Sequence, residues 1–404
     1  MKNFDVLQNC DPYDLIRLYG SPLYVYNEQI IRRKCQEVKH LLTMPNYMVN
    51  YSAKANSNLY LLKIINDEGL AVDAMSPGEI FVELKAGFSP DRILFISNNV
   101  SREEFRDAIN AEVKISVDSL SQLKLYGSLN PGGEVFIRFN PGVGAGHHAK
   151  VITGGKNTKF GVDQKFIPQI REILAKYKLN LIGINQHIGS HFDDAQDYLA
   201  SVKALLNIAK QFTTIKYIDF GGGFGLPHSD GSKSLDLKEL SIGLEQILQN
   251  ETENLQNQVT FMVEPGRFIV AESGILLGTV HSVKTNYNKK YIGTDIGFNT
   301  FLRPTLYNAK HEIVVFTDSK AKEQVAVVGN ICETGDILAK DIILPTIKEN
   351  DVIAILNAGA YGYSMCSNYN NRLRPAEVLI DKHGNHKLIR RRDELKDLVN
   401  NYDF

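Results

Sequence analysis

The sequence has few cysteines, no excess of charge and no long apolar run, and each absence excludes a class of protein. The four cysteines (Cys10, Cys35, Cys332 and Cys366) form no CysXXCys pair and are too scattered for a disulfide-stapled scaffold. The 45 basic side chains balance 46 acidic ones, which argues against a nucleic-acid partner. No apolar run approaches the roughly 20 residues of a membrane helix, and the polar N-terminus lacks the apolar core of a secretory signal. We therefore expect a cytoplasmic protein, and its 404 residues suffice for two or three domains.

Short apolar runs alternate with longer amphipathic stretches from about residue 45 to residue 265. The amphipathic stretches, such as Leu59–Glu68 and Tyr198–Gln211, have apolar residues near helical spacing. This alternation predicts βα repeats and a parallel sheet, and eight strands are the number that closes a (β/α)₈ barrel. A doubly wound open sheet is the structural alternative. The eight predicted strands are Tyr47–Ser52, Leu70–Ala74, Ile93–Ile96, Lys114–Val117, Val135–Phe139, Leu181–Gln186, Tyr217–Phe220 and Phe261–Val263.

The pattern changes after about residue 275, where strand-like runs continue with few helical stretches between them. This predicts a mainly antiparallel β-barrel or sandwich domain, in which Asp381–His386 forms a hairpin loop. Leu23–Tyr26 reads as one more strand ahead of the barrel, and the charged run Arg390–Glu394 as a solvated helix start. We therefore predict a barrel domain over residues 28–275 and a β domain over residues 1–27 and 276–404. The predicted strands of the β domain are Ile275–Val283, Glu312–Phe316, Gln324–Val328, Val352–Leu356 and Glu377–Ile380.

Reactive and polar residues follow most of the predicted barrel strands. The active site of a (β/α)₈ barrel lies at the carboxyl ends of its strands, so these residues are expected to converge on one rim. Structural loops alone would not require a lysine, acids, a histidine, three glycines and an arginine at these positions. The residues are Lys54, Asp73, Arg138, Asn140, His187, Gly221–Gly223 and Glu264–Arg267.

Lys54 and Gly221–Gly223 together indicate an aldehyde cofactor that carries a phosphate. Lys54 follows an apolar strand among small residues, a setting that favours the nucleophilic free amine, although most lysines are simply exposed. The glycines permit close backbone approach to an anion, although alone they also fit a tight turn. Gly266-Arg267 and the glycines fall where such barrels commonly bind phosphate. The combination predicts pyridoxal 5′-phosphate (PLP), with Glu264 as the acid beside its pyridine nitrogen.

A catalytic metal is not predicted. His187 and His191 are four residues apart, but they follow a strand rather than lie on a helix. His147 and His148 add two more nitrogen ligands without completing a set of three well-placed ones. A zinc-dependent hydrolase is therefore a third hypothesis, less favoured than the two classes of PLP protein described below.

Six segments in a fixed order resemble the fold-type III PLP-dependent decarboxylases. They are Tyr51–Asn56, His187–Ser190, Asp219–Gly223, Glu264–Arg267, Cys332–Asp336 and Gly359–Met365. Within that family, Arg303–Tyr307, Ser367–Asn370 and Arg374–Val378 are most similar to the diaminopimelate decarboxylases. The resemblance implies a (β/α)₈ barrel followed by a β-barrel-like domain, a homodimer, and decarboxylation of meso-2,6-diaminopimelate to L-lysine as the last step of lysine biosynthesis.

The resemblance also implies roles for individual residues. Lys54 would bind the cofactor covalently, His187 would stack on its ring, and Glu264 would pair with its pyridine nitrogen. Cys332 and Glu333 would reach the active site from the partner subunit, where the Cys332 thiol would supply a proton. The residues implied around the cofactor phosphate are Ser190, Gly222, Gly223, Gly266, Arg267 and Tyr361, and those implied at the substrate are Arg267, Arg303, Tyr307, Glu333 and Tyr361.

The sequence departs from the family pattern at His191, at Phe192 and in the loop Gly144–His148. These departures concern the substrate more than the cofactor, so two alternatives stay open. One is a related decarboxylase that acts on a substituted diamino acid in siderophore or polyamine synthesis. The other is a noncatalytic PLP-binding homologue, which would be expected to have lost Lys54 or Cys332.

Overall fold

A computed structural model describes residues 6–96, 98–142, 144, 153–226, 235–251 and 259–403. The chain forms two compact units, which we call the barrel unit (Lys34–Ile269) and the sheet unit (Met1–Arg33 with Val270–Phe404). The boundaries expected from the sequence, 28–275 for the barrel, stay a prediction.

The barrel unit contains a closed barrel of eight parallel strands. Consecutive strands pair in chain order, and the last pairs with the first through Tyr47 and Phe261. The (β/α)₈ prediction is therefore confirmed, and the alternative of a doubly wound open sheet is wrong. The strands are β2 (Tyr47–Ser52), β3 (Ala71–Ala74), β4 (Ile93–Ile96), β5 (Lys114–Val117), β6 (Glu134–Arg138), β7 (Asn180–Asn185), β8 (Tyr217–Asp219) and β9 (Thr260–Val263).

Serine and asparagine side chains cap the N-termini of several of the helices that follow these strands. Ser76, Ser101 and Ser119 each accept a hydrogen bond from a main-chain N–H in the first helical turn, and Glu104 completes a capping box with Ser101. No helix among the described residues is long and apolar enough to cross a membrane. The helices are α1 (Pro12–Tyr19), α2 (Glu28–Lys39), α3 (Leu59–Asp67), α4 (Pro77–Ala86), α5 (Arg102–Asn110), α6 (Leu120–Leu129), α7 (Ile167–Tyr177), α8 (Ala195–Ala209), α9 (Leu237–Glu251), α10 (Arg267–Val270) and α11 (Arg303–Tyr307).

Buried side chains of the barrel strands include both an apolar cluster and a polar set. The apolar cluster contains Leu94, Phe136, Ile182 and Met262. Buried polar side chains occur at or near the carboxyl ends of several strands, where they hydrogen-bond across the barrel to one another. They are Asn50, Ser52, Asp73, Ser116, Asn185 and Asp219. Since burying an unpaired polar group costs free energy, this concentration of polar groups marks the carboxyl end of the barrel as the functional end.

The sheet unit is built on a nine-stranded, mostly antiparallel sheet. Its first strand, at Leu23–Asn27, lies between β10 and β16 and is parallel to β16. This position explains why a strand ahead of the barrel in sequence belongs to the other unit. The strands are β1 (Leu23–Asn27), β10 (Gly274–Asn286), β11 (Lys289–Thr294), β12 (Ile313–Phe316), β13 (Lys322–Val328), β14 (Ile337–Pro345), β15 (Val352–Ile355), β16 (Ala376–Ile380) and β17 (His386–Arg390).

All five strands predicted after residue 275 are present, and the expected hairpin joins β16 to β17. Three further strands, β11, β14 and β17, were missed because lysines and other charged residues interrupt their apolar pattern. The sequence predicted a helix start at Arg390–Glu394, but the first of these residues belongs to a strand. Arg390 ends β17 and pairs with the buried carboxylate of Glu377, and only a single 3₁₀ turn at Leu395–Leu398 follows.

We expect Gly183→Ala to destabilise the barrel. Gly183 pairs with Phe136 across β7 and β6, and an added Cβ would lie 2.2 Å from Phe136 Cε1. That ring is buried and stacks on Tyr217 at a centroid distance of 5.5 Å, so it cannot yield without disturbing its neighbours. Overpacking of this kind costs about 1–3 kcal/mol, and calorimetry should show a Tm lower by a few degrees.

The matched control is Gly78→Ala in α4, where the nearest atom to an added Cβ is Ser76 Oγ at 3.6 Å. This variant should have an unchanged or slightly higher Tm, because alanine is a better helix former than glycine. Equal Tm values for the two variants would contradict the proposed close packing at Gly183.

Candidate active site

Lys54 lies in a 3₁₀ turn, Ala53–Ala55, that directly follows β2. The two alanines are buried and the lysine is half-buried. Tyr51 Oη donates a hydrogen bond to the main-chain oxygen of Asn56 at 2.9 Å, which ties the two ends of the turn together. Small flanking residues and this tether hold the lysine at the carboxyl end of the barrel.

Three carboxyl groups are buried around the end of β2. Ser52 Oγ lies 2.6 Å from Asp73 Oδ2 and 3.2 Å from the main-chain oxygen of Glu264, while Asn50 Nδ2 contacts Asp219 Oδ2 at 3.5 Å. Burial raises the pKa of Asp73, raises that of Asp219 to about 7, and raises that of Glu264 well above its usual range. The acids also repel one another as anions, so the site favours a proton or a cation among them.

Positive charges are placed beside these acids. Lys54 and Arg138 each favour the charged forms of Asp73 and Glu264 and thus oppose part of the rise in their pKa. Arg138 ends β6, and its guanidinium carbon lies 4.7 Å from the centroid of the Phe160 ring. The result is a buried, mixed-charge cluster whose protonation depends on what binds to it.

His187 follows β7 and is held as a neutral ring. Burial, and then the charges of Lys54 and Arg138, lower the pKa of His187 well below its usual range. Gly222 N–H donates to His187 Nδ1 at 3.2 Å, so the single ring proton resides on Nε2. A neutral imidazole with a fixed tautomer is suited to lying against a planar aromatic ligand.

The glycines after β8 are required by the close approach of neighbouring main chains. A Cβ at Gly222 would lie 1.8 Å from the main-chain oxygen of Glu264, and one at Gly223 would lie 2.2 Å from that of Gly189. Gly221 and Gly223 also have positive φ values of 75° and 104°, which glycine adopts without strain. The loops after β7, β8 and β9 therefore come together through main-chain contacts that no other residue type permits.

Ser190 and Gly266 lie in the same group of loops. Arg267 Nη2 donates to Ser190 Oγ at 3.1 Å, and an added Cβ at Gly266 would lie 2.8 Å from the Cβ of Ser52. A hydroxyl, a guanidinium and glycine main chain form a suitable set of donors for a phosphate. The structure thus brings together eight predicted residues of the barrel unit: Lys54, His187, Ser190, Gly222, Gly223, Glu264, Gly266 and Arg267.

The site fits PLP on two observations of this structure. Glu264 is buried, and its Oε1 has no hydrogen-bond partner among the described residues. Burial, and then repulsion from Asp219 and Asp73, raise its pKa, and a protonated pyridine nitrogen beside it would offset both effects. The loops after β7, β8 and β9, in turn, bring the Ser190 hydroxyl and the Arg267 guanidinium together beside glycine main chain, a donor set that suits a phosphate. Both features match the groups at the two ends of this cofactor.

The other predicted site residues belong to the sheet unit, where they form two groups. Arg303 is buried at the start of α11, and its guanidinium carbon lies 5.7 Å from the ring of Tyr307 and 5.8 Å from that of Tyr361. Arg303 is therefore not an exposed loop residue. Cys332 and Glu333 are exposed.

Sequence reasoning assigned no role to several residues that the structure places beside the predicted ones. Asp73 and Arg138 were predicted to lie on the rim without a specific role, and the position of Asp219 at the end of a strand is the signal that could have added it to them. His311 gave no such signal, yet its Nε2 accepts a hydrogen bond from Arg303 Nε at 3.3 Å.

The structure describes some of the residues at which the sequence departs from the family pattern. His191 has a positive φ of 64° and donates its main-chain N–H to the oxygen of Gly223, so it belongs to the glycine loops. Phe192 packs against Phe224 and Tyr198. Residues 145–148 of the remaining departure lie outside the described residues.

The barrel and its rim define the class: a (β/α)₈ protein whose rim carries a lysine, a buried acid and closely packed glycine loops. A family model for the pyridoxal binding domain of pyridoxal-dependent decarboxylases matches residues 28–271. The diaminopimelate decarboxylase of Methanothermobacter thermautotrophicus is 39% identical over 98% of this chain and 94% of its own length. That of Escherichia coli K12 is 33% identical over 96% of this chain and 95% of its own.

Solved structures agree with these sequence relatives. A crystal structure of diaminopimelate decarboxylase from Helicobacter pylori complexed with L-lysine is 33% identical, with a TM-score of 0.90, and the match covers 96% of this chain and 98% of that one. The chain belongs to the pyridoxal-dependent decarboxylase family. The predicted family and its PLP cofactor are thereby confirmed.

We expect Asp219→Asn to remove a pH-dependent loss of stability from the cofactor-free protein. Above about pH 4 the unfolded chain has released the Asp219 proton, whereas the folded chain keeps it to about pH 7. The free energy of unfolding of the wild type therefore falls as the pH rises through this window, by at most about 1.4 kcal/mol per pH unit. Asparagine can still accept the Gly221 N–H and does not titrate.

Urea titrations of both proteins at a series of pH values measure this effect. The stability of the variant relative to the wild type should rise with pH and level off above about pH 7. A difference that stays constant with pH would show that Asp219 is not protonated in the folded state.

Proposed function

We propose that this chain decarboxylates meso-2,6-diaminopimelate to L-lysine and CO₂, with PLP as the cofactor. The observation that carries the proposal is the near-full-length similarity to diaminopimelate decarboxylases of bacteria and archaea at 33–39% identity. The solved relative from Helicobacter pylori contains L-lysine, the product of this reaction. The similarity to a lysine/ornithine decarboxylase, at 19% identity, supports only the fold.

The barrel-rim residues are proposed to hold the cofactor. Lys54 supplies the amine for its aldehyde, Glu264 pairs with its pyridine nitrogen, and His187 lies against its ring. When bound, PLP supplies an electron sink for the pair released as CO₂ departs. Glu264 contributes by remaining an anion beside the ring nitrogen, which its burial among other acids permits only when a cation faces it. Ser190, Gly222, Gly223, Gly266, Arg267 and Tyr361 are proposed to bind the phosphate.

Arg303 is proposed to bind the distal carboxylate of the substrate, with Tyr307 and Glu333 nearby and Arg267 and Tyr361 as further contacts. Its guanidinium is buried and lies near two tyrosine rings, which offer cation–π attraction. A buried cation of this kind favours an anionic ligand, and the fork of arginine matches a carboxylate with two parallel hydrogen bonds. Glu333, an acid, is proposed to accept the distal ammonium.

Cys332 is proposed to give the proton that completes the reaction, and it does so across a homodimer. The thiol is exposed within its own chain, as expected of a group that serves the active site of a partner subunit. The homodimer with a shared active site, like a cytoplasmic location, stays a prediction. The alternative substrates are substituted diamino acids, as expected of a related decarboxylase in siderophore or polyamine synthesis.

A decarboxylation assay across meso-diaminopimelate, lysine, ornithine, arginine and carboxynorspermidine tests the substrate. We expect diaminopimelate to be turned over with the highest kcat/KM. A preference for carboxynorspermidine would favour the alternative decarboxylase, and turnover of none of them would favour the noncatalytic homologue.

Arg303→Lys should raise KM for diaminopimelate strongly while the cofactor stays bound. Lysine keeps the positive charge but loses the two-pronged contact with a planar carboxylate, a loss of about 1.5–3 kcal/mol. Steady-state kinetics and the visible absorbance of bound PLP measure the two quantities. Arg17→Lys, at an exposed arginine of the same unit, is the control. An unchanged KM in Arg303→Lys would remove Arg303 from the substrate site.

Mixing inactive Lys54→Ala and Cys332→Ala subunits tests the shared site. In random pairing of equal amounts, about half of the dimers are mixed and each has one intact site, so about a quarter of the sites recover. Subunit exchange is verified separately with differently tagged chains. If exchange occurs without recovered activity, Cys332 serves its own subunit.

A further inference from the structure

A short turn of the sheet unit holds the loop that contains Cys332 and Glu333. We call Asn330–Asp336 the thiol loop and Tyr369–Arg372 the clamp. Asn370 Nδ2 donates to Cys332 Sγ at 3.0 Å, and Tyr369 Oη donates to Glu333 Oε1. Arg372 Nη2 donates to the main-chain oxygen of Asn330 at 2.8 Å. Three of the four clamp residues therefore each contact a different residue of the thiol loop.

The geometry of the clamp is set by its backbone. Asn370 and Asn371 both have positive φ values, 57° and 53°, and asparagine is one of the few residues that tolerates this region. The turn they form presents the Tyr369 and Asn370 side chains to the same loop. The ring of Tyr369 also stacks on Phe298, with centroids 5.6 Å apart and planes at 23°.

The thiol loop is held independently from its other end. The carboxylate of Asp336 accepts the main-chain N–H of Phe298 and that of Ile331, both at 2.7 Å. Phe298 thus supports the loop through Asp336 and the clamp through Tyr369. Both partners of the Asn370–Cys332 contact are fixed before any ligand binds, so the contact is preorganised.

We propose that Asn370 and Tyr369 are positioning residues for the reaction, Asn370 for the Cys332 thiol and Tyr369 for the Glu333 carboxylate. The proposal rests on the proposed function, in which Cys332 gives a proton and Glu333 accepts the distal ammonium. It assigns a purpose to the Ser367–Asn370 segment, for which the sequence offered only a family resemblance.

The chemistry of proton transfer favours an amide donor at this sulfur. When Cys332 gives its proton to the substrate carbon that has lost CO₂, the electron pair of the S–H bond stays on sulfur as a thiolate. An N–H bond to a charged acceptor is stronger than one to a neutral acceptor, so Asn370 stabilises the state that follows transfer more than the state before it. Interactions that strengthen during a step are the ones that accelerate it.

A purely structural role is the competing explanation, and the burial of these residues argues against it. Cys332, Glu333, Tyr369 and Asn370 are all exposed. Within a single chain, hydrogen bonds between exposed side chains contribute little to the stability of its fold. Their replacement should therefore leave the protein folded and change its chemistry.

The first test measures the alkylation of Cys332 by iodoacetamide in the holoenzyme, located by peptide mapping. Asn370→Asp replaces the donor with a negative charge beside the sulfur, which disfavours the reactive thiolate. At one fixed, mildly alkaline pH we expect alkylation to slow by roughly five- to ten-fold, as for a like charge about 4 Å away near water. Burial raises the pKa of Cys366 to about 12, so that thiol does not interfere.

The matched control is Asn371→Asp, which adds the same charge at the next residue with the same backbone conformation. Within the described residues the Asn371 side chain makes no hydrogen bond. This variant should be alkylated within about two-fold of the wild-type rate. Equal slowing in both variants would overturn the proposal, since it would show only a general effect of charge.

The second test is the kinetics of diaminopimelate decarboxylation. Asn370→Asp should lower kcat by about ten-fold with little change in KM, whereas Tyr369→Phe, which keeps the ring and removes the donor, should raise KM with little change in kcat. If both variants show the same combination of a lower kcat and a raised KM, the proposal is overturned. If the wild type decarboxylates no diaminopimelate while Asn370→Asp alone slows alkylation, the proposed function fails and the Asn370–Cys332 contact stands.

Discussion

The crowding of three buried carboxyl groups beside Lys54 and Arg138 is the interaction on which the barrel unit depends. Asp73, Asp219 and Glu264 cannot all be ionised at this depth without a compensating cation, and the pKa of each is raised accordingly. Two fixed cations offset part of the repulsion. In the proposed function a protonated pyridine ring meets the remaining demand for positive charge, which would couple the electrostatic stability of the cluster to cofactor binding.

The glycine loops impose a second, steric constraint. The loops after β7, β8 and β9 approach one another so closely that a single added Cβ at Gly222 would overlap the main chain of Glu264. This packing fixes the Gly222 N–H on His187 Nδ1 and so fixes the histidine tautomer. The same glycines thus orient the His187 ring and, in the proposed function, contact the cofactor phosphate. One packing arrangement of the loops therefore determines both how closely the main chains approach and which nitrogen of His187 carries the proton.

In the sheet unit, the groups proposed to meet the substrate are held by contacts of different strength. Arg303 is buried between tyrosine rings and bonded to His311, which makes its position costly to change. Cys332 and Glu333 are exposed on a loop, where the clamp and Asp336 restrict them. A rigid group suits a fixed charge on the substrate, while a loop suits a proton donor that must reach the reacting carbon.

The sequence by itself determined the barrel, because eight short apolar runs alternate with amphipathic stretches and most strand ends are followed by a polar residue or a glycine. It also determined which side chains would meet on the rim, since parallel strands of a barrel end at one edge. It missed β11, β14 and β17, where charged side chains on an exposed face hide the alternation. Propensity is a weak guide for strands that depend on their neighbours.

Only the tertiary structure decided the protonation of the rim and the arrangement of the thiol loop. Burial and mutual repulsion raise the pKa of Asp219 and Glu264, and neither effect can be read from residues that are 45 positions apart in sequence. In the same way, Asn370 and Cys332 are 38 residues apart, and their contact exists because two separately anchored turns meet. Local sequence specifies which residues stand at strand ends and turns, whereas the interactions between them arise from long-range packing, because that packing sets both their distance and the surrounding dielectric.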